Sequence, residues 1–187
     1  MKIEETPLDG ALVITPDRFQ DQRGFFSETY VKKNVEEALG GVEFVQDNHS
    51  YSKSAGTLRG LHYQEPPFDQ AKLVRCTRGS IFDVAVDFRQ GSITYGEWYA
   101  EELSAENGKQ LFVPQGFLHG FLTLEDDTEV LYKCSNYYAP SHDRTIAWDS
   151  ANILWPIEGQ QPIISEKDAA APAFQTVDCP FSLEACA

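Results

Sequence analysis

The stretch from Gly56 to Gln64, Gly-Thr-Leu-Arg-Gly-Leu-His-Tyr-Gln, gathers a cation, a titratable imidazole and two glycines within strand-like sequence. An imidazole changes charge near neutral pH, so His62 has the chemistry of a general base, a metal ligand or a hydrogen-bonded structural residue. The residue alone does not choose among them, and on a half-buried strand the structural role is the commonest. Arg59 beside it is suited to holding an anion. Side chains an odd number of positions apart leave opposite faces of an ideal strand. Arg59 and His62 therefore serve one ligand only if Gly60 marks a bulge or bend, a common role for a strand glycine.

The charge balance gives such cations weight. With 29 acidic against 15 basic residues and a net charge of −14, the general surface is unsuited to nucleic acid or anionic lipid. An anionic ligand needs a local basic pocket, for which Arg23, Arg59, Lys72, Arg75 and Arg78 are available, each of them otherwise a solvated surface charge. Cys76, Cys134, Cys179 and Cys186 form no C-x-x-C pair and no dense disulfide framework, and read as reduced thiols. No apolar run approaches a membrane span and no secretory h-region opens the chain, so the expectation is a soluble cytoplasmic protein. A length of 187 residues suits one domain over 1–187.

The elements that must position these side chains read as almost wholly β. Ala11–Ile14 is a strand closed by Thr15-Pro16-Asp17, and Asp21–Tyr30 turns at Gly24. Val31–Leu39 has helical periodicity, with Val31, Val35, Ala38 and Leu39 on one face, Lys32, Lys33, Glu36 and Glu37 on the other, and Gly40-Gly41 as the stop. Strands follow at 44–51, 56–64, 81–88, 97–103, 110–113, 117–124 and 129–137, with turn residues at the close spacing of a sandwich or barrel. In Ile81–Phe88 the two-residue period puts Phe82, Val84, Val86 and Phe88 on one face and Ile81, Asp83, Ala85 and Asp87 on the other, and one face is read as core. Past Pro140 the pattern weakens, with Trp148 and Trp155 packing an irregular section, a helical turn near Lys167–Ala173 and a tail over 174–187.

Gly108, Pro114, Gly116, His119 and Thr123 resemble the second motif of the cupin superfamily, departing only at Thr123, where Asn is usual. In the first motif Gly56 and His62 are correctly separated, but Gln64 stands where a second metal-binding His belongs and no Glu supplies the next ligand. That leaves a divalent metal short of donors, so the expectation is a metal-free cupin jelly-roll barrel with a few short peripheral helices. A metal-dependent cupin enzyme is the lesser alternative.

A more specific resemblance comes from Arg59-Gly-Leu-His-Tyr-Gln64, Ala71-Lys-Leu-Val-Arg-Cys76, Gly79-Ser-Ile-Phe-Asp-Val-Ala-Val-Asp87, Pro114-Gln-Gly-Phe-Leu-His-Gly-Phe121, Leu131-Tyr-Lys-Cys134 and Tyr137-Tyr-Ala-Pro140. In this order they resemble the dTDP-4-dehydrorhamnose 3,5-epimerase family. The resemblance implies that His62 removes a proton beside the sugar ketone with Asp168 as its partner, Lys72 sits near the C4 oxygen, and Tyr132 returns a proton from the opposite face. It further implies that Tyr138 stacks on thymine, Arg23 and Arg59 hold the diphosphate, and Glu28, Gln46, Asn48 and His119 complete the dTDP-4-keto-6-deoxy sugar site, with Asp143 and Lys167 as weaker transfers. Family members are homodimers that share residues between subunits, which would make Arg23 to Glu28 the lent segment.

The chemistry asks for those residue types. Inverting a carbon beside a ketone needs a base, a stabiliser for the enolate and an acid on the other face, with no redox cofactor. A neutral imidazole oriented by a carboxylate is a suitable base, a lysine can stabilise the oxyanion and a tyrosine hydroxyl can be the acid. Two other readings stay open: epimerisation at C3 only, and a catalytically silent cupin that binds a nucleotide sugar.

Overall fold

The computed structural model describes residues 1–157 and 159–183, apart from the side chain of Glu36. Glu36 on the polar helix face, Cys186 and the end of the tail thus lie outside the described residues. Two antiparallel sheets face each other as a jelly roll. The 6-stranded sheet runs, in spatial order, β1 (Lys2–Glu5), β2 (Leu12–Thr15), β11 (Gln110–Val113), β7 (Lys72–Arg78), β13 (Thr128–Cys134) and β5 (Gln46–Ser52). The 5-stranded sheet runs β10 (Trp98–Ser104), β8 (Ser80–Asp87), β12 (Phe117–Thr123), β6 (Leu58–Gln64) and β14 (Asp143–Thr145). A hairpin of β3 (Phe19–Asp21) and β4 (Gly24–Phe26) stands apart, and β9 (Arg89–Gln90) pairs in parallel with β15 (Phe181–Ser182).

Three apolar layers hold this together. Between the sheets lie Val13, Val74, Cys76, Ile81, Ala85, Leu111, Phe117, Phe121 and Val130. The outer face of the larger sheet, through Ile14, Leu73 and Phe112, is covered by Val35 and Leu39 from α1 (Lys32–Ala38) and its C-cap. The outer face of the smaller sheet, through Leu58, Leu61, Val84, Val86, Leu118 and Leu122, is covered by Ile146, Ala151, Ile153, Trp155 and Phe181. That C-terminal cover has little regular structure, yet each large apolar side chain it fully buries contributes roughly 1.5–3 kcal/mol.

Because of this cover, β8 has two buried faces. Val84, Val86 and Phe88 form the outer layer, while Ile81, Ala85 and the fully buried Asp83 and Asp87 face the barrel interior. The apolar face therefore packs outward, and the face bearing carboxylates looks into the barrel.

The bend at Gly60 is present. β6 pairs His62 with His119 and Arg59 with Phe121, so three steps on β6 match two on β12, and Gly60 has φ +115°. A Cβ there would lie 2.7 Å from both the Gly120 Cα and the His119 carbonyl oxygen. Only glycine fits both the conformation and the approach. Beyond the bulge Leu58 and Leu61 share the outer layer, and Arg59 and His62 line one cavity.

Candidate active site

His62 is two-thirds covered, and its Nε2–H donates to Asp168 Oδ1 at 2.6 Å. The carboxylate comes from the short helix α2 (Glu166–Ala169), whose N-cap Ser165 Oγ accepts the backbone N–H of Asp168 at 3.1 Å. Burial would raise this carboxyl, but hydrogen bonds from His62, Ser165 and the Gly60 backbone outweigh it and hold it below the usual carboxylate range. An ionised Asp168 fixes the proton on Nε2 and leaves the Nδ1 lone pair to accept another.

His62 sits where two adjoining cavities meet, of about 390 and 400 Å³, which share His62, Lys72, Tyr132 and Lys167. The first is completed by Arg59, His119, Phe121, Ile163, Ile164 and Asp168. Lys72 and Tyr132 project from the larger sheet, whereas His62 and His119 project from the smaller one. Burial raises the Tyr132 hydroxyl above its ordinary pKa, which keeps it protonated, and lowers the Lys72 ammonium. Arg59 is braced by Nε to Ser52 Oγ at 3.2 Å and by a terminal nitrogen to the Tyr51 carbonyl at 3.0 Å.

The second cavity is lined by Gln46, Asn48, Gln64, Tyr138, Asp143 and Lys167. The Gln46 side-chain oxygen accepts the Tyr138 backbone N–H at 3.0 Å, and its nitrogen donates to Asn48 at 3.0 Å. Asp143 Oδ2 takes Lys167 Nζ at 2.6 Å and the Tyr138 hydroxyl at 3.1 Å. The Tyr138 ring is 57% exposed at the rim, so a flat face is presented to any ligand leaving the cavity.

A family model described as dTDP-4-dehydrorhamnose 3,5-epimerase matches residues 5–176. The chain belongs to this epimerase family. It is 49% identical over 181 residues to the dTDP-4-dehydrorhamnose 3,5-epimerase of Shigella flexneri, covering 95% of this chain and 98% of that relative. Among solved structures, it is similar to the Legionella pneumophila dTDP-6-deoxy-D-glucose-3,5-epimerase in complex with dTDP-4-keto-L-rhamnose, with TM-score 0.90 and 44% identity over 95% of this chain and 94% of that one. A Streptomyces bikiniensis 3′-monoepimerase with dTDP-quinovose matches with TM-score 0.85 at 34% identity, over 91% and 87% of the two chains.

The residues implied by the family resemblance thus separate into two groups. His62, Lys72, Tyr132, Asp168, Gln46, Asn48, Arg59, His119, Tyr138, Asp143 and Lys167 line the joined cavities. Arg23 and Glu28 line neither; Arg23 is exposed on the β3–β4 hairpin and its guanidinium is paired with Asp21 at 2.6 Å. Gln64, at the interrupted metal position, spends its amide on backbone: the nitrogen donates to the Phe68 and Tyr137 carbonyls at 2.6 and 3.2 Å, and the oxygen accepts Ala139 N–H at 2.7 Å. Its donor oxygen is therefore already committed. Polar residues of the cavity walls that escaped the sequence reading of the site are Ser50, Thr57 and Ser165 in the first cavity and His49 and Gln70 in the second. So did Asp83, whose Oδ1 accepts His119 Nε2–H at 2.8 Å. Its Asp-Val-Ala-Val-Asp setting gave only an alternation, without saying which face looked inward.

Proposed function

We propose that the protein is a dTDP-4-dehydrorhamnose 3,5-epimerase that converts dTDP-4-dehydro-6-deoxy-D-glucose to dTDP-4-dehydro-β-L-rhamnose. One observation supports this mechanism: His62 on the smaller sheet and Tyr132 on the larger line opposite walls of one cavity, the positions this reading needs for a base and an acid. Inversion requires that arrangement, because the proton must leave one face of the carbon and return to the other.

In this reading His62 Nδ1 takes the proton from C3 or C5, the carbons flanking the C4 ketone, and Asp168 stabilises the imidazolium that forms. The Lys72 ammonium neutralises the charge developing on the C4 oxygen, the step that lowers the barrier most for so weak a carbon acid. Tyr132, kept protonated by its burial, delivers a proton to the other face. Arg59 takes the diphosphate, and Tyr138 at the rim stacks on the base. The carbon's oxidation state is unchanged, and His62 releases its proton to solvent while Tyr132 regains one from solvent before the next inversion, so the chemistry calls for no redox cofactor.

Arg23 and Glu28 enter the reading through a homodimer. The hairpin bearing Arg23 presents exposed Phe19, Phe25 and Phe26, apolar surface of the kind a partner subunit covers, and we assign Arg23 and Glu28 to the neighbouring subunit's site. The free thiols of Cys76, Cys134 and Cys179 suit the cytoplasm.

Epimerisation at both carbons is favoured over C3 alone, because identity is 49% to the 3,5-epimerase of Shigella flexneri and 34% to the 3′-monoepimerase. The test is incubation with the dTDP-keto-sugar in deuterated water without added cofactor. Deuterium is expected at both C3 and C5; uptake at C3 alone selects the monoepimerase, and none at either carbon leaves a binding protein. Tyr132→Phe is expected to retain exchange but form little inverted product.

A further inference from the structure

We infer that Arg18 is a positioning residue for the neighbouring subunit's site: seated in a turn of its own barrel and stacked on Phe25, it fixes the orientation of the hairpin that carries Arg23; this rests on the reading that Arg23 serves the neighbouring subunit. A hairpin of two short strands does not hold itself in water without packing, and every residue of β3 and β4 is exposed. Its direction must therefore be set from outside.

The seat is the turn between β10 and β11. Asn107 ties that turn together: its Oδ1 accepts the backbone N–H of Ser104 at 3.1 Å and of Lys109 at 2.9 Å, and its side-chain nitrogen donates to the Glu102 carbonyl at 2.8 Å. The adjacent carbonyls of Ala105 and Glu106 accept from Arg18, the first from Nη2 at 2.7 Å and the second from Nη1. A planar guanidinium with several fixed donors suits two such acceptors better than a single ammonium does. Gly108 completes the seat. It has φ +65°, and a Cβ there would lie 2.5 Å from Arg18 Nη2 and 2.8 Å from Cζ. Gly108 opens the cupin-like motif of the sequence, and its missing side chain is what leaves room for the guanidinium.

The same guanidinium lies over the Phe25 ring, with Cζ 4.4 Å from the centroid, within cation–π range. In the hairpin register Gln20 pairs with Phe25 and Phe19 with Phe26, so the alternation of side chains puts Phe25 on one face and Phe19 with Phe26 on the other. Arg18 engages the first face and leaves the second open to a neighbour. The outgoing stem is held as well, because the buried Gln110 donates to the Thr29 carbonyl at 2.8 Å. At the tip Asp21 accepts the Arg23 backbone N–H at 2.8 Å and its guanidinium at 2.6 Å, so Arg23 moves with the hairpin. A hairpin oriented before the partner arrives avoids the entropy loss of being ordered at docking. Arg18 thus acts on the substrate through Arg23 of its own chain, in the next subunit's cavity.

The experiment compares wild type, Arg18→Ala and Phe25→Leu by amide hydrogen exchange and by kinetics, at concentrations where sedimentation shows the same oligomer for all. Amides of 19–26 are expected to exchange about tenfold faster in each variant, with β7 and β12 unchanged. KM for the dTDP-keto-sugar is expected to rise about tenfold with kcat within about twofold. Arg23→Ala is expected to raise KM at least as much, and adding Arg18→Ala to it to raise KM no more than about twofold further, since nothing is left to position. Unchanged hairpin exchange overturns the inference. A full Arg18→Ala effect persisting in the Arg23→Ala background also overturns it, because that marks a general structural role. Should Arg18→Ala not fold, Phe25→Leu is read in the same way, alone and with Arg23→Ala. Hydrogen exchange needs no turnover, so Arg23→Ala at wild-type KM removes the lent-arginine reading, and the inference with it, even where faster exchange shows that Arg18 holds the hairpin.

Discussion

Two histidine–aspartate pairs of the same chemical makeup, His62–Asp168 and His119–Asp83, meet the cavity through their histidines, which stand directly opposite each other on β6 and β12. Their surroundings make them different devices. In the first pair the imidazole is 33% exposed, and its carboxylate collects further hydrogen bonds from Ser165 and the Gly60 backbone. In the second the imidazole is 7% and the carboxylate 0% exposed, and one carboxylate oxygen has no partner. Burial lowers the His119 pKa, so gaining a proton there is penalised. The comparison teaches that a proton acceptor needs an open ring nitrogen and a well-solvated or well-bonded counter-ion. A sealed pair with the same atoms is suited to holding a neutral donor in place.

The strongest way to break that contrast is to exchange the fates of the two histidines. His62→Ala is expected to lower kcat by on the order of 10⁴, the upper range for a general base. His119→Gln is expected to change kcat by no more than about tenfold, with the larger effect in KM. Deuterium exchange into the keto-sugar measures both, and a greater loss of exchange in the His119 variant would reverse the assignment. Next in size is Asp168→Asn, which keeps the ring but removes the group that fixes its tautomer. A loss on the order of 10²–10³ in kcat with nearly unchanged KM is expected. A substantial rise in KM instead would recast Asp168 as a substrate contact.

Gly60 is what allows the open pair to exist at all. Gly60→Ala places a Cβ 2.7 Å from two backbone atoms of β12 at φ +115°. Strain and clash together are expected to cost on the order of 3 kcal/mol, or roughly 6–12 °C in Tm. A thermal melt within about 2 °C of wild type would show that β6 can relax without the bulge. In that case Arg59 and His62 would owe their shared cavity to something else.

This bulge was legible in the sequence, because two functional side chains at odd spacing around a glycine admit few other solutions. Helix α1 was legible too: Val35 and Leu39 recur at helical spacing, and Gly40-Gly41 ends it close to the observed Leu39 C-cap. Strand β7 was not read from its pattern, since Lys72 faces the cavity and Arg75 the outer side, giving charges on both faces of one strand. Strand β8 was read as a strand with one core face, yet both of its faces are buried. The C-terminal segment that covers it has no periodicity to announce where Trp155 and Phe181 will pack. For the same reason Asp83 passed as a member of an ordinary alternation. The docking of α2 against β6, which brings Asp168 to His62 from far along the chain, is a property of topology and entered the reading only through family resemblance.

The smallest expected effect is also the one that compares the two carboxylates most directly. Asp168 in the folded protein titrates below an unfolded aspartate, near 3.9, and Asp83 titrates above it. The signs of their linkage to stability are therefore opposite. The Asp168 contribution is present above about pH 3.9 and is lost as pH falls from there through its folded pKa. The Asp83 contribution is complete below about pH 3.9 and is lost as pH rises through its higher folded value. Melting curves between about pH 3 and 7 should show the gap between wild type and Asp168→Asn shrinking with acid, by on the order of 1–2 kcal/mol, the worth of a charge-assisted hydrogen bond. Over the same range wild type should gain stability relative to Asp83→Asn. Parallel pH dependences for the two variants would mean that the pairs share one electrostatic environment, and the distinction between an open pair and a sealed one would fail.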